Sequence, residues 1–194
     1  KLVYAYFGNV GVFCFDFDGS LQWKKPFPAV RTRNDWGTAA SPVLHGGRLY
    51  IVNDNEEQSY LVALDAASGD EVWRVNRKEG SNWAAPFVWE NELRTEIVTP
   101  GTGLTRSYDL SGKQLYQFGG ASSITIATPY AKSGRLYVSS GYILDRKKPI
   151  WAILPGASGD ISLKPDETSN EFVSWCQKTA GPYNPSTIIY GDQL

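Results

Sequence analysis

Histidine occurs once in the 194 residues, at His45, and methionine not at all. A single histidine gives no basis for a His-based metal cluster or a His-paired nucleophile. The two cysteines, Cys14 and Cys176, exclude a disulfide-dense scaffold and a cysteine-rich zinc site. They neither require nor forbid an oxidising compartment. No apolar run approaches the length that spans a bilayer as a helix, so no membrane span is expected. Charge of neither sign dominates: 19 basic residues face 20 acidic ones, a net of −1. That balance leaves no electrostatic footprint for nucleic acid or an anionic membrane. Without an initiating methionine, Lys1 reads as a cut or processed end.

What is present points to short strands and tight turns. Hydrophobic residues make up 42% of the chain, enough for a core, and aromatic residues 13%, with 19 glycines and 11 prolines. Three marks recur. A small residue, Pro and an apolar run stand at Ser41-Pro42, Ala85-Pro86 and Thr128-Pro129, with a degenerate copy at Pro185-Ser186-Thr187. A strand, Asp, Gly and an aromatic recur as Asp16, Gly19, Trp23; Asp65, Gly69, Trp73; and Asp109, Gly112, Tyr116. A fourth copy, Ala152-Ile153 through Ser158-Gly159 to Ile161, lacks both Asp and Trp. Hairpins precede these motifs, as at Val43–Val52 around His45-Gly46-Gly47, where Gly supplies the positive φ of the turn.

Each unit therefore holds four short strands in roughly 44 residues, with no helical period of useful length. The expected fold is all-β: a β-propeller of four-stranded antiparallel blades, with about four repeats over 1–194 as a single region. A sandwich or a single barrel does not account for Pro, Gly and Trp at one spacing. Leu2–Phe7 aligns with the second strand of a blade and Thr187–Leu194 with a first strand and its turn. The expectation is a slice of a seven- or eight-bladed propeller, in preference to four blades closing alone. Residues 155–184 read as a polar insertion in the last blade, with Glu171–Trp175 resuming its outer strand and Trp175 replacing Trp73.

The run Ala63-Leu64-Asp65-Ala66-Ala67-Ser68-Gly69-Asp70-Glu71-Val72-Trp73 resembles the pyrroloquinoline-quinone (PQQ) type propeller repeat, Ala-x-Asp-x-x-Thr-Gly-x-x-x-Trp. Trp36–Pro42, Ser81-Asn82-Trp83 and Pro155–Ile161 are similar to a bacterial subgroup of PQQ-like proteins of unassigned role. The repeat is also distantly similar to that of the propeller lipoprotein family assisting outer-membrane barrel assembly. The resemblance implies that Ala63, Gly69, Trp23, Trp73 and Trp175 dock blade on blade, and that the chain lies outside the cytoplasm, in periplasm or envelope. PQQ-dependent dehydrogenases carry a vicinal cysteine pair and a Ca²⁺ site of Glu, Asn and Asp. Here Cys14 and Cys176 have no cysteine neighbour, and fold alone does not give function.

The expected role is a non-catalytic binding or scaffolding propeller of the bacterial envelope, with no cofactor, no metal and no catalytic residue. Its partner is a protein or a small polar ligand such as a carbohydrate. Alternatives are a fragment of a PQQ- and calcium-dependent alcohol or sugar dehydrogenase, and a carbohydrate-recognising or carbohydrate-processing propeller. The candidate contacts lie in loops crossing between blades: Asp35, Trp36, Asn82, Trp83, Tyr183 and Asn184, aromatic faces beside amides or carboxylates. Asp54-Asn55-Glu56-Glu57 reads as a solvated hairpin loop, Arg146-Lys147-Lys148 as wet surface and His45 as an exposed turn residue.

Overall fold

The computed structural model of the chain describes residues 1–191 and 193–194. Sheet I is built from β1 (Leu2–Phe7), β2 (Gly11–Asp16) and β3 (Leu21–Pro26) in that order. Sheet II holds β4 (Val43–His45), β5 (Arg48–Asn53), β6 (Ser59–Asp65) and β7 (Glu71–Arg77). Sheet III holds β8 (Phe87–Glu90), β9 (Thr95–Thr99), β10 (Leu104–Tyr108) and β11 (Gln114–Gly119). Sheet IV holds β12 (Tyr130–Lys132), β13 (Arg135–Ser139), β14 (Ile150–Ile153) and β16 (Val173–Gln177). Each is an antiparallel meander. No α-helix occurs among the described residues.

The burial pattern follows the sequence. The middle strands β5 and β6, Leu-Tyr-Ile-Val-Asn and Ser-Tyr-Leu-Val-Ala-Leu, are buried along nearly their whole length. A continuous apolar run suits a strand with a neighbouring sheet on each face. The outer strand β7 instead alternates between half-buried and exposed residues. The core accordingly consists of three seams between successive sheets. Val12, Leu49, Ile51 and Val62 fill one, Tyr50, Leu61, Ile97 and Tyr108 the next, and Trp89, Tyr116, Leu136 and Trp151 the third. Each fully buried side chain of this size stabilises by about 1.5–3 kcal/mol.

The Asp-Gly motif is a local machine for seating the next sheet. Oδ1 of Asp65 accepts the amides of Ala67 and Ser68, both at 2.9 Å, and Gly69 takes φ +78°. Asp16 and Asp109 hold their turns in the same way. A register shift follows the same position in all four sheets, after Cys14, Ala63, Ser107 and Ala152. Opposite those residues stand Trp23, Trp73, Tyr116 and Trp175.

The indoles reach forward. Trp23 Nε1 donates to the Ala66 carbonyl at 3.1 Å, and its ring lies where a Cβ on Gly69 would sit, 2.6 Å from Cε3. Trp73 repeats this one sheet on, donating to Leu110 O at 3.0 Å with its ring against Gly112. Tyr4, Tyr50 and Tyr137 tilt against Trp23, Trp73 and Trp175 at 5.9, 5.9 and 6.1 Å. Trp175 thus holds in sheet IV the register and aromatic neighbour that Trp73 holds in sheet II.

Beyond β14 the repeat breaks. The position of Asp65 is taken by Leu154, so no carboxylate organises a turn, and the outer strand of sheet IV does not form near Ile161 but at β16, after the insertion. The chain instead runs back, and β15 (Gly159–Asp160) joins the outer edge of sheet III in parallel, Tyr116 opposite Gly159 and Gln117 opposite Asp160. Ala157 and Ile161 are buried in the III–IV seam. The chain returns through Asn170, whose Oδ1 accepts the Phe172 and Val173 amides, to open β16.

At the ends, β1 pairs with β2 as β5 pairs with β6, Leu2 opposite Asp16 matching Arg48 opposite Asp65. Thr187–Ile189 form no strand; Tyr190 and Gln193 pair as an isolated bridge. Asp192, within the segment expected to form a first strand and turn, lies outside the described residues.

Candidate functional site

In each meander the loops between sheets emerge at the same end as the loops joining the second and third strands. At that end the segments from 31 to 37, 54 to 56, 81 to 83 and 123 to 125 are tied together. Glu56 N donates to Arg31 O at 2.9 Å, and a Glu56 Oε accepts the Ser81 amide at 3.0 Å. Ser81 Oγ accepts the Arg33 amide at 2.9 Å, and Arg33 Nη1 donates to Ser123 O at 2.9 Å. Hydrogen bonds from the Ser81 hydroxyl and amide hold the Glu56 carboxyl below its ordinary range.

Trp36 stands at the top of this assembly. Asn34 and Asp35 both adopt positive φ, 53° and 54°, a conformation that Asn and Asp enter more readily than other non-glycine residues. The bend turns Trp36 outward, where it is 56% exposed. Trp83 supports it from below, ring centroids 5.6 Å apart, with Nε1 donating to Gly37 O at 2.8 Å and its amide to Thr125 O at 2.9 Å. Thr32 Oγ1 closes the bend by accepting the Gly37 amide at 2.8 Å. Beside the aromatic pair lies an open basin of about 550 Å³ lined by Arg31, Arg33, Asn34, Glu56 and Ser81.

The other sequence candidates fall elsewhere. Asp35 is exposed next to Trp36. Tyr183 packs on Tyr142 at 5.3 Å, on the sheet IV side, and Asn184 beside it is exposed. Asn82 is buried: its Nδ2 donates to Asp54 and to Pro100 O at 3.1 Å, and its Oδ1 accepts the Ala84 amide at 2.9 Å. Its amide positions the loop beneath Trp83 and has no free face for a ligand.

Asp54 and Asn55, expected in a solvated loop, are instead buried at 2% and 1% exposure. Arg77 reaches Asp54 from the end of β7 with two hydrogen bonds, at 2.8 and 3.0 Å, and continues to Thr99 and Tyr108 of sheet III. Burial lifts the Asp54 carboxyl above its usual range, with Arg77 opposing. Burial also works against the Arg77 guanidinium, but Asp54 carries it upward through its charge and two hydrogen bonds. Arg106 and Glu79 form a second link in this region. Only Glu56 and Glu57 of the acidic run are exposed. His45, expected on an exposed turn, is half-buried at the end of β4, with Nδ1 3.3 Å from Glu90. Sequence reasoning had no signal for these pairings, whose partners stand 23 to 45 residues apart.

Successive four-stranded meanders, seated by Trp on Asp-Gly turns, are the construction of a β-propeller. The family model described as outer membrane protein assembly factor BamB matches residues 8–151, and the chain belongs to that family. BamB from Moraxella catarrhalis is similar in structure, with a TM-score of 0.55 and 16% identity over 78% of this chain and 45% of its own. A europium-containing methanol dehydrogenase aligns with a TM-score of 0.53 and 12% identity over 94% of this chain and 40% of its own. A quinohemoprotein alcohol dehydrogenase from Comamonas testosteroni aligns at 16% identity over 78% of this chain and 28% of its own, with a TM-score of 0.47. The likenesses to BamB and to the europium-containing enzyme show the fold, and the chain spans less than half the length of each of the three. No curated protein matches its sequence.

The resemblance to the PQQ-type repeat makes a quinone site the enzymatic alternative. Cys14 and Cys176 are free, buried and on different sheets, so they make no vicinal pair. No three His, Cys, Asp or Glu side chains gather among the described residues in a way that could hold a metal ion.

Proposed function

We propose that this chain is part of a non-catalytic propeller of the bacterial envelope that holds a protein partner, at the loop end carrying Trp36, during outer-membrane assembly. The observation that carries this reading is the outward Trp36, held over Trp83 at the loop end that also carries Arg31, Arg33 and Glu56. A rigid exposed aromatic with a charged surround is the anatomy of a protein-binding hot spot. Family membership supports the assembly role and the extracytoplasmic setting. On this reading the four sheets are blades of a larger propeller of seven or eight, and Trp175 faces the next blade. Asp35, Tyr183 and Asn184 lie on the rim of the same end.

Photo-crosslinking in cells tests it. A benzoylphenylalanine at position 36 is expected to give one discrete adduct whose partner is an outer-membrane assembly component. The same group at Val72, exposed on the outer strand β7, is expected to give none. Equal adducts from both positions would refute the reading. Saturable uptake of PQQ with Ca²⁺, or glycan binding lost in Trp83→Ala, would replace it with an enzymatic or a carbohydrate-recognising function.

A further inference from the structure

Two sequence features not absorbed by the loop-end site, the insertion after β14 and the basic run at 146–148, converge on one cavity. It has a volume of about 130 Å³ and lies at the seam of sheets III and IV. Its residues are separate from those around Trp36. Trp151, only 3% exposed, and Cys176, at 7%, belong to sheet IV, and Leu163 of the insertion lines it as well. Gly120, at φ +104°, is part of the same lining, and a Cβ there would only make ordinary contact with the Trp151 ring, at 3.6 Å. Three lysines from three different segments also line it: Lys147 from the β13–β14 loop, Lys164 from the insertion and Lys178 from beyond β16.

The walls are tied down. Lys178 Nζ donates to Pro165 O, joining the insertion to the end of β16. Lys148 N donates to Lys178 O at 2.9 Å, and Gly181 N donates back to Lys148 O. Lys164 pairs with Glu167 at 3.3 Å, and the Lys178 charge also acts on that carboxylate. The volume compares with the roughly 150 Å³ apolar cavity known to admit benzene. An apolar interior of this size does not need three cations, and a rim of three cations does not need an indole floor.

We propose that this cavity is a binding site for a small monocarboxylate with an apolar body, a single aromatic ring or a short branched chain. The body lies against Trp151 and Leu163, and the carboxylate faces the lysines. Insertion and blade together build the site; neither has it alone.

Benzoate is the probe, with benzamide as its uncharged counterpart, titrated calorimetrically into the full chain. Saturable one-to-one binding of benzoate is expected, with benzamide at least about tenfold weaker. In parallel, alkylation of Cys176 is followed by mass spectrometry, with fully buried Cys14 as the internal reference. At about ten times the Kd, mass action leaves about one site in eleven free, so alkylation of Cys176 is expected to slow about tenfold. Lys147→Glu is expected to weaken benzoate by about tenfold or more and Leu163→Trp to abolish it, both without changing the far-ultraviolet spectrum. The proposal is overturned by an absence of saturable heat, by equal binding of benzamide, or by undiminished binding in Lys147→Glu. It is overturned equally if benzoate binds while the Cys176 rate stays unchanged, because the ligand is then elsewhere.

Discussion

Replacing Gly69 by alanine strikes the seam between the first two sheets at one atom. Two costs add. The backbone holds φ +78°, which a non-glycine residue adopts at about 1–2 kcal/mol. The new Cβ would stand 2.6 to 2.9 Å from three ring carbons of Trp23, and overpacking of this kind costs about 1–3 kcal/mol. Gly69→Ala is therefore expected to destabilise by about 2–5 kcal/mol, read from urea unfolding as a fall in midpoint at constant slope. Gly46, at φ +55° with no atom within 4 Å of where a Cβ would stand, is the control and is expected to lose only the backbone part. The decisive arm is Trp23→Ala. With the indole gone the clash is gone, so Gly69→Ala in that background is expected to cost about 1–2 kcal/mol, leaving a coupling of about 1–3 kcal/mol. A cycle that closes within about 0.5 kcal/mol would mean that the Trp23 ring is not seated on the Gly69 turn, and the docking argument would fail with it.

Asp54→Ala leaves Arg77 buried without its counter-ion and is expected to cost about 3–5 kcal/mol in the same unfolding measurement, far more than a surface carboxylate. Glu56 has a folded pKa below its unfolded value. Its contribution is therefore complete above about pH 4.5 and is lost as pH falls through the lower folded value. Unfolding curves collected from pH 7 to pH 3 are expected to show a shallower acid slope in Glu56→Gln than in the parent. Trp73→Ala removes an indole seated on Gly112 and one of two donors to Leu110 O, Arg48 remaining as the other, at about 3 kcal/mol or more. Trp175→Ala, whose ring meets no following sheet among the described residues, is expected to cost clearly less on thermal or urea unfolding.

The parts of the fold that could be read from sequence are those whose causes are local. Asp65 caps its own turn, Gly69 supplies its own φ, and the bulge after Ala63 lies two residues before that aspartate, so spacing alone carries the meander. Trp175 could be found because Glu171–Trp175 has strand character after the interruption. The buried network could not. Asp54 resembles any acidic loop residue until Arg77, 23 positions later, arrives from the end of the outer strand and sheet III closes over both. Asn82 reads as a ligand contact for the same reason: its partners Asp54 and Pro100 are neighbours only in space. Trp36 is legible as a candidate because nothing in its own segment could bury it, whereas the bend of Asn34 and Asp35 that turns it outward has no sequence mark comparable to a glycine.

The strand β15 gives the last two sheets a mechanical relation that the others lack. Elsewhere among the described residues, pulling one sheet from its neighbour means peeling apart side chains and single loop hydrogen bonds, with no strand paired across the seam. Between III and IV it also means unzipping main-chain hydrogen bonds, because the segment joining two strands of one blade is woven into the border of the other. Under force, or in the slow breathing that exposes amides to deuterium, this pair should open and close as one body, while the preceding joints yield separately. A propeller stitched in this way has one stiff sector, and anything gripping the wheel there feels a firmer support than it would elsewhere.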